Sequence, residues 1–208
     1  MIHEERDYCA PLAHILKSGG MQMKIQTRVR IIFILCATII IGLVPFRFSH
    51  AATAREIDVS VDVALARFTK EVKGAKEFLH AAKGVLVIPR VVQAGLIIGG
   101  EYGEGAMRIG GKTVGYYNIA AGSFGYQIGA QEKDIILVFM DEAALRKFRS
   151  SDNWQAGVDG TVALGKIGAE GSIDTTKVKQ PIVGFVFGQK GLMAGATIEG
   201  SKFTKLKK

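Results

Sequence analysis

Lys83 to Gly111 reads KGVLVIPRVVQAGLIIGGEYGEGAMRIGG. The stretch sets strand-type apolar runs beside eight glycines and contains no histidine, cysteine or serine. Val85, Leu86, Val87 and Ile88 form a short continuous apolar run ended by Pro89, the pattern of a strand buried on both faces. Glycine inside a strand weakens it unless the backbone must bulge, curve or pass close to another surface. The chain carries 26 glycines, most of them beyond Gly84, so the sheet is expected to curve strongly, with a barrel-like closure as the extreme form. A segment this poor in nucleophiles favours work by shape and surface over covalent chemistry.

Downstream, the strand period continues. From Ser123 to Ala130, Phe124, Tyr126 and Ile128 point one way while Ser123, Gly125, Gln127 and Gly129 point the other, a half-buried strand. Ile135 to Met140 and Ile182 to Phe187 are again continuous apolar strands. Gln189, Lys190 and Gly191 read as a three-residue hairpin loop that returns the chain along Leu192 to Glu199.

Upstream, the period is helical. Ile57, Val61, Ala64, Leu65, Phe68 and Val72 make one apolar stripe, and Glu56, Asp58, Asp62, Arg67, Lys70 and Glu71 take the other side. Gly74 breaks this helix and a short second one is expected from Ala75 to Lys83. Asp141 to Phe148 reads as a further short helix that opens with two acids and ends in Arg146 and Lys147. The first helix either covers the sheet or lies on a membrane. Interfacial helices are usually rich in Lys and Arg on the polar face, whereas this face is mixed in sign, which favours the covering role. The expected class is α+β: N-terminal amphipathic helices packed on a strongly curved, glycine-rich, mainly antiparallel sheet, with one further short helix.

Residues 1–54 read as an N-terminal extension and secretory signal, and 55–208 as one domain. Ile31 to Val44 is apolar apart from Thr38, follows Lys24, Arg28 and Arg30, and precedes Pro45 and the small residues Ser49, Ala51, Ala52 and Ala54. That is the order of basic region, apolar core and cleavage site. The run is shorter than the ~18 apolar residues a spanning helix needs, so cleavage is favoured over a retained N-terminal anchor. Both Ser49 with Ala51 and Ala52 with Ala54 fit the small-x-small rule. Met1 to Gly20 has no place in such a leader, which fits a start at Met21 or Met23. Cys36 lacks the small residue before it that lipoprotein processing wants. The expected destination is exported, periplasmic or envelope-associated.

Cys9 and Cys36 are the only cysteines, so the exported domain would have neither thiol catalysis nor a cysteine metal site. Its 154 residues suffice for one core. They hold 21 Lys and Arg against 16 Asp and Glu, a formal +5, which favours anionic surfaces without naming one. No arginine-rich helix or nucleic-acid motif is present, and no nucleic-acid partner is expected.

Catalytic and nucleotide motifs fail on spacing. Gly111, Lys112 and Thr113 end like a P-loop, but Ala106 stands where its first glycine belongs. Arg108 occupies the third glycine of a dinucleotide fingerprint begun by Gly103 and Gly105. Ala121-Gly122-Ser123-Phe124-Gly125 is one residue from a nucleophile elbow, yet His80, the only histidine past the leader, comes before the serine. Glu101 and Glu104 flank Tyr102 in GGEYGEG, where two carboxylates could share acid and base roles or hold a hard cation; a polar turn or strand edge is the favoured account. One histidine and scattered carboxylates give no metal-ligand spacing. No catalytic residue, metal, cofactor or nucleotide is assigned.

The opening stretch, together with VGYYNIAAGSFGYQIGAQ from Val114 and PIVGFVFGQKGLM from Pro181, resembles the SYLF-domain family from about Ile57 to the C-terminus. That resemblance implies a non-enzymatic module that binds membranes, with phosphoinositide-binding and actin-binding homologues. For an exported bacterial chain it implies anionic membrane lipids, such as phosphatidylglycerol, cardiolipin or lipopolysaccharide, as partners. Lys83 and Arg90 bracket the first strand, and with Lys202, Lys205, Lys207 and Lys208 they are the candidate headgroup patch. The alternative is a cell-envelope structural or interaction module, without direct lipid binding, that takes a protein partner on a sheet edge or on Tyr116, Tyr117, Phe124 and Tyr126.

Overall fold

The computed structural model describes residues 52–95, 98–124, 129–165, 173, 180–188, 191–192 and 197–208. Helix α1 (Ala54–Glu71) begins where the sequence supplies a reciprocal cap. The Thr53 hydroxyl accepts the Glu56 N–H at 3.3 Å, and the Glu56 carboxylate accepts the Thr53 N–H at 2.7 Å. The bonds from the Thr53 N–H and then its hydroxyl hold the Glu56 carboxyl below its ordinary range. Ile57, Val61, Ala64 and Phe68 form the buried stripe, in which Ile57, Val61 and Phe68 are each worth about 1.5–3 kcal/mol if fully removed from water. After extended Val72, Gly74 adopts φ 79° and starts α2 (Ala75–Ala81), which buries Ala75 and Phe78. Helix α2 ends two residues before Lys83, whose N–H already donates to the Phe139 carbonyl; the expected helix to Lys83 is therefore shorter.

Four long antiparallel strands follow: β1 (Gly84–Gly95), β2 (Ile98–Ile109), β3 (Lys112–Phe124) and β4 (Gly129–Phe139). Asp141 caps α3 (Glu142–Ser150) by accepting the Ala144 N–H at 2.9 Å. Short strands β5 (Asn153–Gln155) and β6 (Ala163–Leu164) lead to β7 (Ile182–Gly188), β8 (Gly191–Leu192) and β9 (Lys202–Leu206). The sheet order is β5-β9-β3-β2-β1-β4-β7-β6, with β8 added to β7. Among the described strands, β6 and β7 are the one pair that runs parallel.

The sheet curls around α3. Tyr117 on β3 and Phe139 on β4 are separated by β2 and β1, which would set them roughly 14 Å apart in a flat sheet. Both rings nevertheless lie within 5.1 Å of the Phe148 ring on α3. Trp154 meets the same ring at 5.2 Å, within the usual range of aromatic pairs. The result is a half-barrel whose concave face holds α3 and whose outer face carries α1 and α2. Both faces are covered over the first half of β1, the last half of β4 and nearly all of β7, which is why Val85–Ile88, Ile135–Phe139 and Ile182–Phe187 read as unbroken apolar runs.

Three further sequence expectations are corrected. Pro89 does not end the first strand, because the β1 ladder resumes at Val91 after a bulge in which Pro89 and Arg90 oppose Asp134. Proline needs no partner for an N–H it lacks, and the Arg90 N–H, turned away by a φ of 51°, donates to the Asp134 carboxylate at 2.9 Å. Across the bulge β2 passes so close that a Cβ on Gly105 would sit 2.0 Å from the Val87 carbonyl oxygen. Second, Ser123 to Ala130 is not one strand: Ser123 and Phe124 end β3, whereas Gly129 and Ala130 open β4 beyond β2 and β1. Residues 125–128 lie outside the described residues. Third, Gly191 is not a loop residue but belongs to β8 and pairs with Gly188; 189–190 and, on the expected return from Leu192 to Glu199, 193–196 lie outside the described residues.

Candidate functional site

Helix α1 crosses the outer face obliquely and is tied to successive strands by polar contacts. Asp58 accepts from the Thr113 hydroxyl at 2.6 Å and the Tyr116 hydroxyl at 3.0 Å. Burial and then this carboxylate push the Tyr116 phenol upward, so it stays a donor. Arg108 pairs with Asp62 at 2.8 Å, Arg90 donates to the Ser60 hydroxyl at 3.0 Å, and Arg67 donates to the Gly188 carbonyl. These contacts and the buried stripe show that α1 covers the sheet, as its mixed polar face implies.

The cover is incomplete. Ala106 packs under α1, and by strand alternation Glu104 and Tyr102 share its face. Glu104 is still occupied, since it accepts from Lys208 Nζ at 2.9 Å and from the Tyr102 hydroxyl at 2.9 Å. Lys208 also donates to the Ala52 carbonyl at 2.5 Å. One step further, the strand register lays out a single cross-strand row, Lys202, Ala120, Tyr102, Val92 and Glu132. All five are exposed. Ala94, Gly100 and Gly122 continue the same bare face. Along its border α1 turns Val59 and Val63 outward, at 57% and 64% exposure.

Between α1 and this row lies a groove of about 340 Å³ at the β1 bulge. Val59, Val63 and Ala64 form its helical wall, Pro89 and Arg90 its bulge side, and Phe187 part of its lining. Charges in it are largely spoken for: Arg67 pairs with Glu71 at 2.8 Å and with Asp134 at 3.6 Å. Lys133 is buried against Glu101 at 2.8 Å.

Residues 120–208 match the family model described as Ysc84, a Las17-binding protein actin regulator. Over 125 residues the chain is 30% identical to the SH3 domain-containing YSC84-like protein 1 of Xenopus laevis, covering 58% of this chain and 37% of the relative. The chain carries a domain of the SYLF family. It spans little more than a third of that relative's length.

The SYLF domain does not gather the six candidate cations into one patch. Lys83 precedes β1 and Arg90 sits seven residues on, roughly 20 Å along the strand. Lys202 shares the outer face with Tyr102, whereas Lys205, an odd number of positions away on β9, points to the other face. Lys207 follows the end of β9, and the Lys208 ammonium is held by Glu104 and Ala52. Arg90 and Lys202 are thus the two that border the bare face, at its opposite ends and on strands three spacings apart.

Other sequence candidates are separated or absorbed. Glu101 and Glu104, three positions apart on β2, point to opposite faces and bind different lysines, so they share no cation and no proton. Ser123 lies in regular β3 pairing with Gly99, not at a strand-to-helix turn. Among the described residues there is no metal-ligating cluster and no helix long and apolar enough to cross a membrane. Tyr117 is buried beside Phe148, and Tyr116 lies under α1; the Phe124 side chain and Tyr126 lie outside the described residues. The bare row went unseen in the sequence because it joins residues from five strands, and only their register aligns them.

Proposed function

We propose that this SYLF domain is an exported, non-enzymatic, membrane-associating protein that meets anionic lipid surfaces with its outer face. The observation that carries this reading is the bare row with Val92 and Tyr102 at its centre, bordered by Val59 and Val63 and flanked by Arg90 and Lys202. Scattered apolar residues are ordinary on a surface, but a contiguous apolar area rimmed by charge marks an interaction site. The leader-like segment from Lys24 to Ala54 supports export, and the basic balance of the chain supports an anionic partner. The actin regulation in the family description is said of that family and is not carried to this chain, which we read as exported.

On this reading Val92, Tyr102, Val59 and Val63 enter the interfacial region while Lys and Arg side chains add about 1 kcal/mol each near an anionic surface, screened by salt. Co-sedimentation with neutral and phosphatidylglycerol-containing vesicles across a salt series tests it. The expected result is binding to the anionic vesicles that weakens as salt rises. Absence of binding to any vesicle would refute direct lipid recognition and leave the envelope protein partner as the working alternative.

A further inference from the structure

We infer that the groove at the β1 bulge seats a zwitterionic headgroup with a primary ammonium, that of phosphatidylethanolamine, with Arg90 on the phosphate and Glu132 on the ammonium. This deepens the membrane reading and rests on it, by naming which headgroup the specific seat accepts.

The charge balance of the groove supports a zwitterion over a simple anion. The Arg67 guanidinium is shared between Glu71 and Asp134, two carboxylates on one cation. Lys133 is neutralised by Glu101, and the second Asp134 oxygen takes the Arg90 backbone N–H. Beside the one carboxylate charge that the single Arg67 guanidinium leaves uncompensated, the other two lining charges are one cation and one anion, Arg90 and Glu132. Neither has an ion-pair partner among the described residues. Arg90 spends one nitrogen on the Ser60 hydroxyl at 3.0 Å, which steadies the side chain and leaves the rest of the guanidinium fork for phosphate oxygens.

Position supports the same assignment. Glu132 pairs with Val92 on β1, and Arg90 stands two residues before Val92, so the two are diagonal neighbours about 7–8 Å apart at the backbone. A phosphate and an ammonium joined by two carbons can bridge side chains so placed. The groove opens beside Val59, Val63, Val92 and Tyr102, where acyl chains would continue into the bare face. Arg90 also holds a left-handed φ of 51°, uncommon for a residue other than glycine. Backbone strain of this kind clusters at ligand clamps.

A carboxylate accepts hydrogen bonds from a primary ammonium and none from a quaternary one, so ethanolamine and choline lipids separate the specific seat from general attraction. The full chain is assayed with vesicles of phosphatidylethanolamine plus phosphatidylglycerol and of phosphatidylcholine plus phosphatidylglycerol, at one phosphatidylglycerol fraction and one ionic strength. Binding about tenfold tighter to the ethanolamine vesicles is expected, the size of one charge-assisted hydrogen bond. Glu132→Gln, an exposed change, should abolish that preference while leaving or raising the response to phosphatidylglycerol. Arg90→Asn, which tolerates the left-handed backbone, should weaken binding to both vesicles. Thermal melts confirm that each variant folds.

Equal binding to the two vesicle types would overturn the headgroup assignment alone. An ethanolamine preference that survives in Glu132→Gln would also overturn it, because bilayer packing and not the groove would then be its source. Failure to bind either vesicle would overturn the membrane reading together with the assignment.

Discussion

The two faces of one curled sheet are finished differently. On the concave face, Phe148 from α3 touches Tyr117, Phe139, Trp154 and Phe203, and the interior is filled from strand to strand. On the outer face, α1 and α2 cover the half built from Val85, Val87, Ala106, Ile136 and Val138 and stop short of the other half. There the residues shrink to Ala94, Gly100, Ala120 and Gly122, with Val92 and Tyr102 standing out. An antiparallel sheet can leave part of a face in water without a partner, so what singles out the unclosed half is the exposed apolar set Val92, Tyr102, Val59 and Val63.

The sharpest way to break this contrast is to empty the concave side. Phe148→Ala should lose about 3–5 kcal/mol, read as a lower urea midpoint with an unchanged slope. A loss below about 1 kcal/mol would mean that the sheet does not close on α3. Next comes a pair of glycines. Gly105→Ala drives a Cβ into the Val87 backbone and should cost at least the 1–3 kcal/mol typical of overpacking. Gly122→Ala on the bare outer half has nothing within 4 Å and should stay within about 0.5 kcal/mol. Similar costs for the two would erase the difference between the faces.

The sequence revealed the helices and the apolar strands because their signals are local. The capped stripe of α1, the capping Asp141 and the runs at Val85, Ile135 and Ile182 each lie within a few residues. The bulge was hidden, since Pro89 after an apolar run looks like an end unless Asp134, 44 positions away, is known to receive the Arg90 N–H. The tail lysines looked like one patch because four basic residues crowd the last seven, yet strand alternation divides Lys202 from Lys205 and Glu104 captures Lys208. Glu101 and Glu104 looked paired for the same reason and stand on opposite faces.

Two smaller effects sharpen the contrast further. Val92→Ser combined with Tyr102→Ser should leave stability within about 1 kcal/mol yet weaken vesicle binding several-fold. Unchanged binding would remove the bare row from the contact. The smallest effect concerns the cap of α1. Glu56 titrates below its ordinary value in the folded chain, so its contribution is present above the unfolded carboxyl value of about 4.3. That contribution fades as pH falls through the depressed folded value. Helicity followed by circular dichroism should show a small acid loss that Glu56→Gln removes; an identical acid profile in the variant would contradict the capping role.

The most direct test of the outer face as the working surface is a depth measurement by spin labelling in a background with Cys9 and Cys36 replaced by serine. Labels are placed singly at Val92, on the bare row, and at Val158, which is 74% exposed in the turn that follows β5. With phosphatidylglycerol-containing vesicles, the label at position 92 should become shielded from an aqueous relaxant and accessible to oxygen dissolved in the bilayer, while the label at 158 stays in water. Equal aqueous exposure at both positions, in protein that has bound the vesicles, would contradict the assignment of the outer face.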